Sequence, residues 1–230
     1  MIKVIFLDID DTLLSFSEYV KQAMRDGFKK YNLKPYAEDM FDTFKKINDQ
    51  LWLQIEREEL TYEELLKTRW NIIFKALGIS FDGPTFETYF KEQLFYSAIP
   101  VPYAKDLLQY LVAKYTLCVA SNGPYKQQMN RLRLADMEGY FKHFFISERF
   151  RVSKPEKTFF DCCFQELHNS GFPDLMPEET MMIGDSISSD IAGGAAYGMK
   201  TCLLNASNDA RAIDVADYTV MELREIMAIL

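Results

Sequence analysis

The chain has 230 residues, of which 48% are hydrophobic and 26% are charged, proportions typical of a globular protein. Its formal net charge of -8 argues against a nucleic-acid polymer as partner, because such a protein needs a basic face that neutralises phosphates. We see no apolar stretch long enough for a membrane span and no secretory signal, and the four cysteines form no CxxC pair. We therefore expect a cytoplasmic protein with reduced thiols and no membrane contact.

The first predicted element is a buried strand that ends at a group of carboxylates. The apolar run 5–7 is followed by Asp8, Asp10 and Thr12, which lie on one side of an extended chain. Carboxylates this close together repel one another and are costly to desolvate unless a cation or a shared proton relieves them. The pattern therefore favours a cation site over its plain alternative, a solvated turn after a strand.

The segment 16–99 is predicted to be helical and is rich in aromatic residues. Apolar spacing predicts helices over 19–31, 38–59, 61–77 and 84–97. Thr61 and Glu64 can form a capping box, and Gly78 is a suitable C-terminal stop. Since this block directly follows the first strand, we predict an α-helical cap domain at 16–99, inserted into a core domain formed by 1–15 and 100–230.

Beyond residue 102 the predicted strands alternate with helices. The strands fall at 115–120, 144–146, 181–183 and 200–204, and the helices at 103–113, from 124 onward, 155–169 and 188–197. Strands that alternate with helices form a parallel sheet covered on both faces. The predicted fold class is therefore α/β, a Rossmann-like doubly wound parallel sheet with an inserted helical domain.

Four polar groups lie at or just beyond the carboxyl ends of predicted strands, where open α/β sheets bind their ligands. Each has a plain alternative when taken alone: a turn, an exposed loop, or a solvated residue in the first turn of a helix. Their joint order makes these alternatives improbable. The groups are Asp8/Asp10/Thr12, Ser121/Asn122, Lys154 and Asp185/Asp190.

In this order the groups resemble the four motifs of the haloacid dehalogenase (HAD) superfamily of hydrolases. The matching segments are 8–12 (Asp-Ile-Asp-Asp-Thr), 121–123 (Ser-Asn-Gly), 154–155 (Lys-Pro) and 184–190 (Gly-Asp-Ser-Ile-Ser-Ser-Asp). The insertion at 16–99 is similar to the helical C1-type cap that one branch of the superfamily carries after its first strand. The resemblance implies a HAD-like core and an enzyme that uses Mg²⁺.

Phosphate-ester hydrolysis explains why these residue types occur together. Phosphate monoesters react very slowly in water, so an enzyme must supply a nucleophile, charge neutralisation and a proton for the leaving group. Asp8 can attack phosphorus and form an aspartyl phosphate, and Asp10 can protonate the leaving alcohol and then activate water. Mg²⁺ held by Asp8, Asp185 and the carbonyl of Asp10 would relieve the repulsion between anionic nucleophile and anionic substrate.

The remaining motif residues are expected to bind phosphate or to support the site. Lys154 can neutralise charge on the phosphoryl oxygens, and Ser121 can hydrogen-bond to the same atoms. The resemblance implies that Thr12 and Asn122 shape the phosphate-binding site. Asp190 is expected to support the site through Lys154 or water and not to bind the metal directly, and Asp11 is expected to be solvent-exposed beside the site.

Several reactions remain open. The second carboxylate of the first motif argues for phosphoryl transfer, since dehalogenases of the superfamily typically lack it. Phosphonate hydrolysis would need a reactive cap lysine such as Lys21. The segment 183–205 is similar to bacterial 5′-nucleotidases that clear pyrimidine nucleotides, so a nucleoside 5′-monophosphate is the favoured small phosphorylated metabolite, with a cap aromatic residue stacked on the base. The alternatives are a sugar phosphate phosphatase, a phosphoglucomutase-type phosphotransferase and a non-catalytic HAD-like binding protein.

Overall fold

The structure is a computed structural model that describes residues 1–206 and 215–230. The chain divides into two compact units, which we call the core unit (Met1–Ser15 with Ala98–Leu230) and the helical unit (Phe16–Ser97). Within the described residues, no helix combines the length and the apolar character that crossing a membrane requires. The roles of these units as catalytic core and substrate-selecting cap remain predictions.

The core unit is built on a parallel sheet in the order β3-β2-β1-β4-β5-β6. Parallel strands need crossover connections, which here are mostly helical. The predicted α/β fold class is confirmed. The strands are β1 (Val4–Leu7), β2 (Thr116–Ser121), β3 (His143–Ile146), β4 (Thr180–Gly184), β5 (Lys200–Leu204) and β6 (Tyr218–Val220).

Apolar side chains cover both faces of this sheet. Successive residues of β1 alternate between the faces, so Ile5 and Leu7 belong to one buried cluster and Val4 and Phe6 to the other. The first cluster includes side chains of α5 and α6, and the second is formed largely by α8. The helices of the core unit are α5 (Ala104–Val112), α6 (Tyr125–Leu134), α7 (Ser147–Phe150), α8 (Lys157–Asn169) and α9 (Ala192–Tyr197).

The helical unit contains α1 (Phe16–Lys30), α2 (Asp39–Glu56), α3 (Tyr62–Leu77) and α4 (Gly83–Phe95). Its interior is aromatic, with Trp70 in contact with Phe86 and Phe90. The predicted capping box at Thr61 is present, and Gly78 ends α3 with a φ of 64°. These signals fix where the third helix begins and ends.

Two features of the core unit differ from the sequence prediction. Strand β6 was not predicted, because only three residues, Tyr218–Val220, pair with β5. The helix predicted from residue 188 begins instead as a π-type turn at Ile187–Ile191 and becomes α-helical at Ala192. At the start of this turn the carboxylate of Asp190 accepts a hydrogen bond from the main-chain N–H of Ser186 at 3.0 Å.

Candidate active site

The three central strands bring the predicted site residues to one edge of the sheet. Leu7 pairs with Val119 of β2 and with Ile183 of β4, so the three strands end side by side. Asp8 follows β1, Ser121 ends β2, and Asp185 follows β4. Because all of these strands are parallel, their carboxyl ends share the edge where α/β sheets bind ligands.

The turn after β1 places the first-motif residues at this edge. The N–H of Asp8 still bonds to Ile183 at 3.0 Å, and the N–H groups of Leu13 and Leu14 then both bond to the carbonyl of Ile9. Asp11 adopts a φ of 54° at this turn, a left-handed conformation that aspartate tolerates better than most residues. The chain therefore reverses directly behind the acidic side chains.

Lys154 is the buried centre of the site. Its side chain is 1% exposed, and Nζ donates to Asp8 Oδ1 at 2.8 Å and to Asp190 Oδ1 at 2.5 Å. The third N–H donates to the carbonyl of Ala120 at 2.6 Å, so all three protons of the ammonium group are used. Although burial opposes its charge, Asp190 and Asp8 raise the pKa of Lys154 above its usual value.

The acids around Lys154 are held in an environment that disfavours their charge. Burial raises the pKa of Asp8 to about 8; Lys154 opposes this rise, while Asp190 and Asp10 add to it. Burial also raises the pKa of Asp185 well above its usual value, with contributions from Asp11 and Asp8. A cation bound here would restore the ionised forms.

The donor set fits a hard divalent cation. Among the described residues, Asp8, Asp185 and Asp190 each offer a carboxylate oxygen within 4.8 Å of the others, and oxygen ligands suit Mg²⁺. Both oxygens of Asp190 already accept hydrogen bonds, from Lys154 and from the N–H of Ser186. Asp8 and Asp185 are therefore better placed than Asp190 to bind the cation. Binding by the Asp10 carbonyl remains a prediction.

The glycine of the fourth motif makes room for Asp190. A Cβ atom on Gly184 would lie 2.1 Å from Asp190 Oδ2, a separation that side chains do not tolerate. Asp190 is 1% exposed, and its Oδ1 accepts a hydrogen bond from the Lys154 ammonium. A glycine is therefore needed at the end of β4, next to Asp185, to leave room for the side chain of Asp190.

Thr12, Asn122 and Ser121 form hydrogen bonds within the site. Thr12 donates to Asp185 Oδ1 at 3.2 Å. The amide of Asn122 donates to the Lys154 carbonyl and accepts from the Lys154 N–H, both at 2.9 Å, which ties the two motif loops together. Ser121 is buried, and its Oγ accepts from the N–H of Gly123 at 3.2 Å. Contacts of these residues with phosphate remain predictions.

Asp10 reveals two site residues that the sequence reasoning missed. Its Oδ1 accepts from Arg131 at 2.5 Å and its Oδ2 from Gln128 at 2.6 Å, and both partners are fully buried on α6. Their spacing of three residues puts them on one helix face. One signal in the sequence could have identified them: Gln128 and Arg131 lie on the helix face that also carries the buried Leu132.

Comparison with known proteins assigns the chain to a family. A family model described as haloacid dehalogenase-like hydrolase matches residues 2–198. The chain belongs to this family. The HAD-like hydrolase prediction is thereby confirmed. The HAD motifs at 8–12, 121–123, 154–155 and 184–190 all lie inside the matched range.

Individual relatives carry three different names. A protein named putative HAD-hydrolase YfnB from Bacillus subtilis is 31% identical over 99% of this chain and 95% of its own length. The pyrimidine 5′-nucleotidase PynA of Streptococcus pneumoniae is 30% identical over 88% of this chain and 84% of its own length. A glyceraldehyde 3-phosphate phosphatase of Pyrococcus furiosus is 28% identical over 100% of this chain and 93% of its own length.

A solved structure extends the likeness to three dimensions. The crystal structure of YfnB, described as bound to magnesium, matches with a TM-score of 0.88 and 30% identity, and it covers 100% of this chain and 98% of that one. The HAD fold is therefore shared over the whole chain. The acidic group at the edge of the sheet is consistent with a metal site in this family.

Proposed function

We propose that this HAD hydrolase is a Mg²⁺-dependent phosphomonoesterase that works through an aspartyl phosphate at Asp8 and acts on a nucleoside 5′-monophosphate. The observation that carries the reaction class is the 2.8 Å contact between the buried Lys154 ammonium and Asp8, with Asp10 two residues further on. Lys154 opposes the effect of burial on the pKa of Asp8, and the ionised carboxylate of Asp8 can attack phosphorus.

The first half of the reaction forms a bond between an oxygen of Asp8 and phosphorus while the ester P–O bond breaks. Asp10 gives a proton to the leaving alcohol, which otherwise departs as an alkoxide. Lys154 can offset charge that develops on the phosphoryl oxygens, and the Ser121 hydroxyl can donate to them. Asp8, Asp185 and the Asp10 carbonyl would hold Mg²⁺, which supplies neutralisation of the substrate's negative charge when bound.

The second half regenerates Asp8. Asp10, now ionised, takes a proton from water, and the resulting hydroxide oxygen bonds to phosphorus as the bond to Asp8 breaks. Inorganic phosphate leaves, and Asp10 is again protonated, now with the proton that it took from water. The two aspartates of the first motif thus divide nucleophilic attack and proton transfer between them.

Two substrate classes are candidates, and one experiment tests both. The nucleotide is favoured by the similarity of 183–205 to pyrimidine nucleotidases and by the relative PynA, at 30% identity. A sugar phosphate is the second candidate, favoured by the Pyrococcus relative at 28% identity. Both are alcohol esters of phosphate, so both need the proton that Asp10 supplies.

The test is phosphate release with Mg²⁺ across a panel of pyrimidine and purine nucleoside monophosphates, sugar phosphates, flavin mononucleotide and one phosphonate. We expect the highest kcat/KM with a pyrimidine nucleoside monophosphate. Release from sugar phosphates but from no nucleoside monophosphate overturns the nucleotide assignment and supports the second candidate. Release from the phosphonate alone would overturn both.

Two matched substitutions test the mechanism. Asp8→Asn is expected to lower kcat by more than about 10³-fold, because an amide is a poor nucleophile. Asp11→Asn is the control: it makes the same chemical change nearby, and asparagine tolerates the φ of 54° found there. Full turnover by Asp8→Asn with Mg²⁺ present would overturn the aspartyl-phosphate mechanism.

A further inference from the structure

Arg131, Gln128, Asp10 and Ser121 form a connected group of hydrogen bonds at the edge of the sheet. One guanidinium nitrogen of Arg131 donates to Asp10 Oδ1 at 2.5 Å and to Gln128 Oε1 at 2.9 Å. The amide nitrogen of Gln128 donates to Asp10 Oδ2 at 2.6 Å and to Ser121 Oγ at 2.9 Å. Each of these two nitrogens carries two protons, and all four are used.

The direction of every bond in this group follows from Arg131. A guanidinium offers donors only, so the Gln128 atom that faces it must be the carbonyl oxygen. The NH₂ end of Gln128 is thereby turned toward Asp10 and Ser121. Arg131 thus fixes which end of the Gln128 amide donates. It acts on Ser121 through Gln128.

The same direction is imposed on Ser121. Its Oγ accepts from the N–H of Gly123 at 3.2 Å and from Gln128 at 2.9 Å, which occupies both lone pairs of the hydroxyl. The remaining polar function of Ser121 is its own O–H, which can only donate. A phosphoryl oxygen carries lone pairs and no proton at neutral pH, so a fixed donor is what it requires.

The carboxylate of Asp10 is bound by Arg131 and Gln128 but is still partly exposed. Its side chain is 34% exposed, whereas Arg131 is 0% exposed. A carboxylate has about four acceptor positions, and Arg131 and Gln128 take one on each oxygen. The remaining acceptor positions are available to a leaving group, because the side chain is partly exposed.

We propose that Arg131 and Gln128 are positioning residues that act as one directional relay, holding Asp10 for proton transfer and fixing Ser121 as a donor to the phosphoryl group. The inference rests on the proposed phosphatase function and assigns roles to two residues outside the four HAD motifs. Such supporting hydrogen bonds commonly change activity by about 10- to 100-fold when they are removed.

A substitution at Gly123 can displace Gln128 without changing any residue of the relay. A Cβ atom on this residue would lie 2.4 Å from the amide nitrogen of Gln128 and 2.7 Å from its Cδ. Gly123→Ala therefore displaces the Gln128 side chain while leaving every proposed catalytic side chain unchanged. Gly123 of the second motif is needed because the Gln128 amide packs against it.

The test compares leaving groups in the first turnover, by rapid-quench measurement of alcohol release. Uridine 5′-monophosphate needs a proton from Asp10, whereas p-nitrophenyl phosphate has a leaving group that departs without one. For Arg131→Met and Gly123→Ala, we expect the rate with uridine 5′-monophosphate to fall about 10- to 100-fold more than the rate with p-nitrophenyl phosphate. A general loss of folding lowers both rates equally.

Gln128→Glu tests the second half of the proposal. The substitution places an acceptor where the amide donated, so the Ser121 hydroxyl must turn its proton toward residue 128 and away from phosphate. We expect the inhibition constant of inorganic phosphate to rise about 10-fold, with a loss of kcat as well. Arg133→Met is the matched control, because Arg133 lies on the same helix, is exposed and pairs with Glu138.

The outcomes separate this inference from the proposed function. An active wild-type enzyme that is inactivated by Asp8→Asn supports the phosphatase assignment, and unchanged leaving-group ratios in the relay variants then overturn the relay alone. Wild type without phosphatase activity overturns the proposed function. If Arg131→Met does not fold, Arg131→Lys keeps a donor-only side chain, and we expect it to retain a smaller ratio change than Gly123→Ala.

Discussion

Replacing Asp8 with asparagine is expected to stabilise the metal-free protein even though it removes the proposed nucleophile. Asp8 is buried beside Asp190 and Asp10, and its pKa is raised from 3.8 to about 8. Above that pH the folded protein has to carry a buried anion that the unfolded chain carries in water. Asparagine is nearly the same size and has no charge to bury.

The size of the effect follows from the pKa rise. Each pKa unit corresponds to about 1.4 kcal/mol, so a rise from 3.8 to about 8 sets an upper limit of about 6 kcal/mol on the free energy gained at pH 8. The asparagine amide must itself be desolvated, and Lys154 loses a charged partner, which together remove much of this gain. We expect about 1 to 3 kcal/mol, or an increase in Tm of about 2 to 10 °C for a chain of this length.

Thermal unfolding in EDTA measures this directly, with wild type, Asp8→Asn and the control Asp174→Asn, at an exposed residue of the core unit, compared at pH 8 and at pH 4. A group whose pKa is raised by folding stabilises the folded state less as pH rises through the window from about 4 to 8. The advantage of Asp8→Asn should therefore be largest at pH 8 and nearly vanish at pH 4. An equal or lower Tm for Asp8→Asn at pH 8 would refute the reasoning.

Two further predictions concern the metal and the helical unit. Mg²⁺ should raise the Tm of the wild-type protein more at pH 8 than at pH 5, because the cation takes the place of protons that the acids have lost, and an equal increment at both values would contradict this. In the helical unit, Arg69 binds Glu87 through two bonds, at 2.6 and 3.1 Å, and both side chains are buried; Arg69→Met should lower the free energy of unfolding by about 3 to 5 kcal/mol in urea. The exposed pair Lys45–Asp49 is its control, since Lys45→Met should cost less than about 1 kcal/mol, and similar losses for both would show that burial does not set the cost.

Much of the fold follows from local patterns in the sequence. Strand β5 was predicted at 200–204 and lies at Lys200–Leu204, a segment that ends in three apolar residues. Helix α3 was predicted from its capping box, and Thr61 caps it as expected. Strand β6 could not be predicted from its own residues, since its pairing with β5 depends on a chain path that local propensity does not encode.

The candidate site was predictable where chemistry is concentrated in motifs and not where it depends on a neighbouring helix. Asp8, Lys154 and Asp185 were expected together and lie together. Gln128 and Arg131 were missed because, on an amphipathic helix, polar residues are normally assigned to solvent. Only the folded chain reveals that their face of α6 is turned toward Asp10, 118 and 121 residues earlier in the sequence.

The chain leaves and re-enters the core unit at adjacent points. The N–H of Ser15 bonds to the carbonyl of Ile99 at 2.8 Å, and Leu14 forms a bridge with Pro100. The 82 residues Phe16–Ser97 therefore begin and end at a gap that a short turn can close, as domain insertion at surface sites requires. Because none of the paired strands β1, β2 and β4 lies in this segment, a chain in which a short turn joins Ser15 to Ala98 is expected to keep their register.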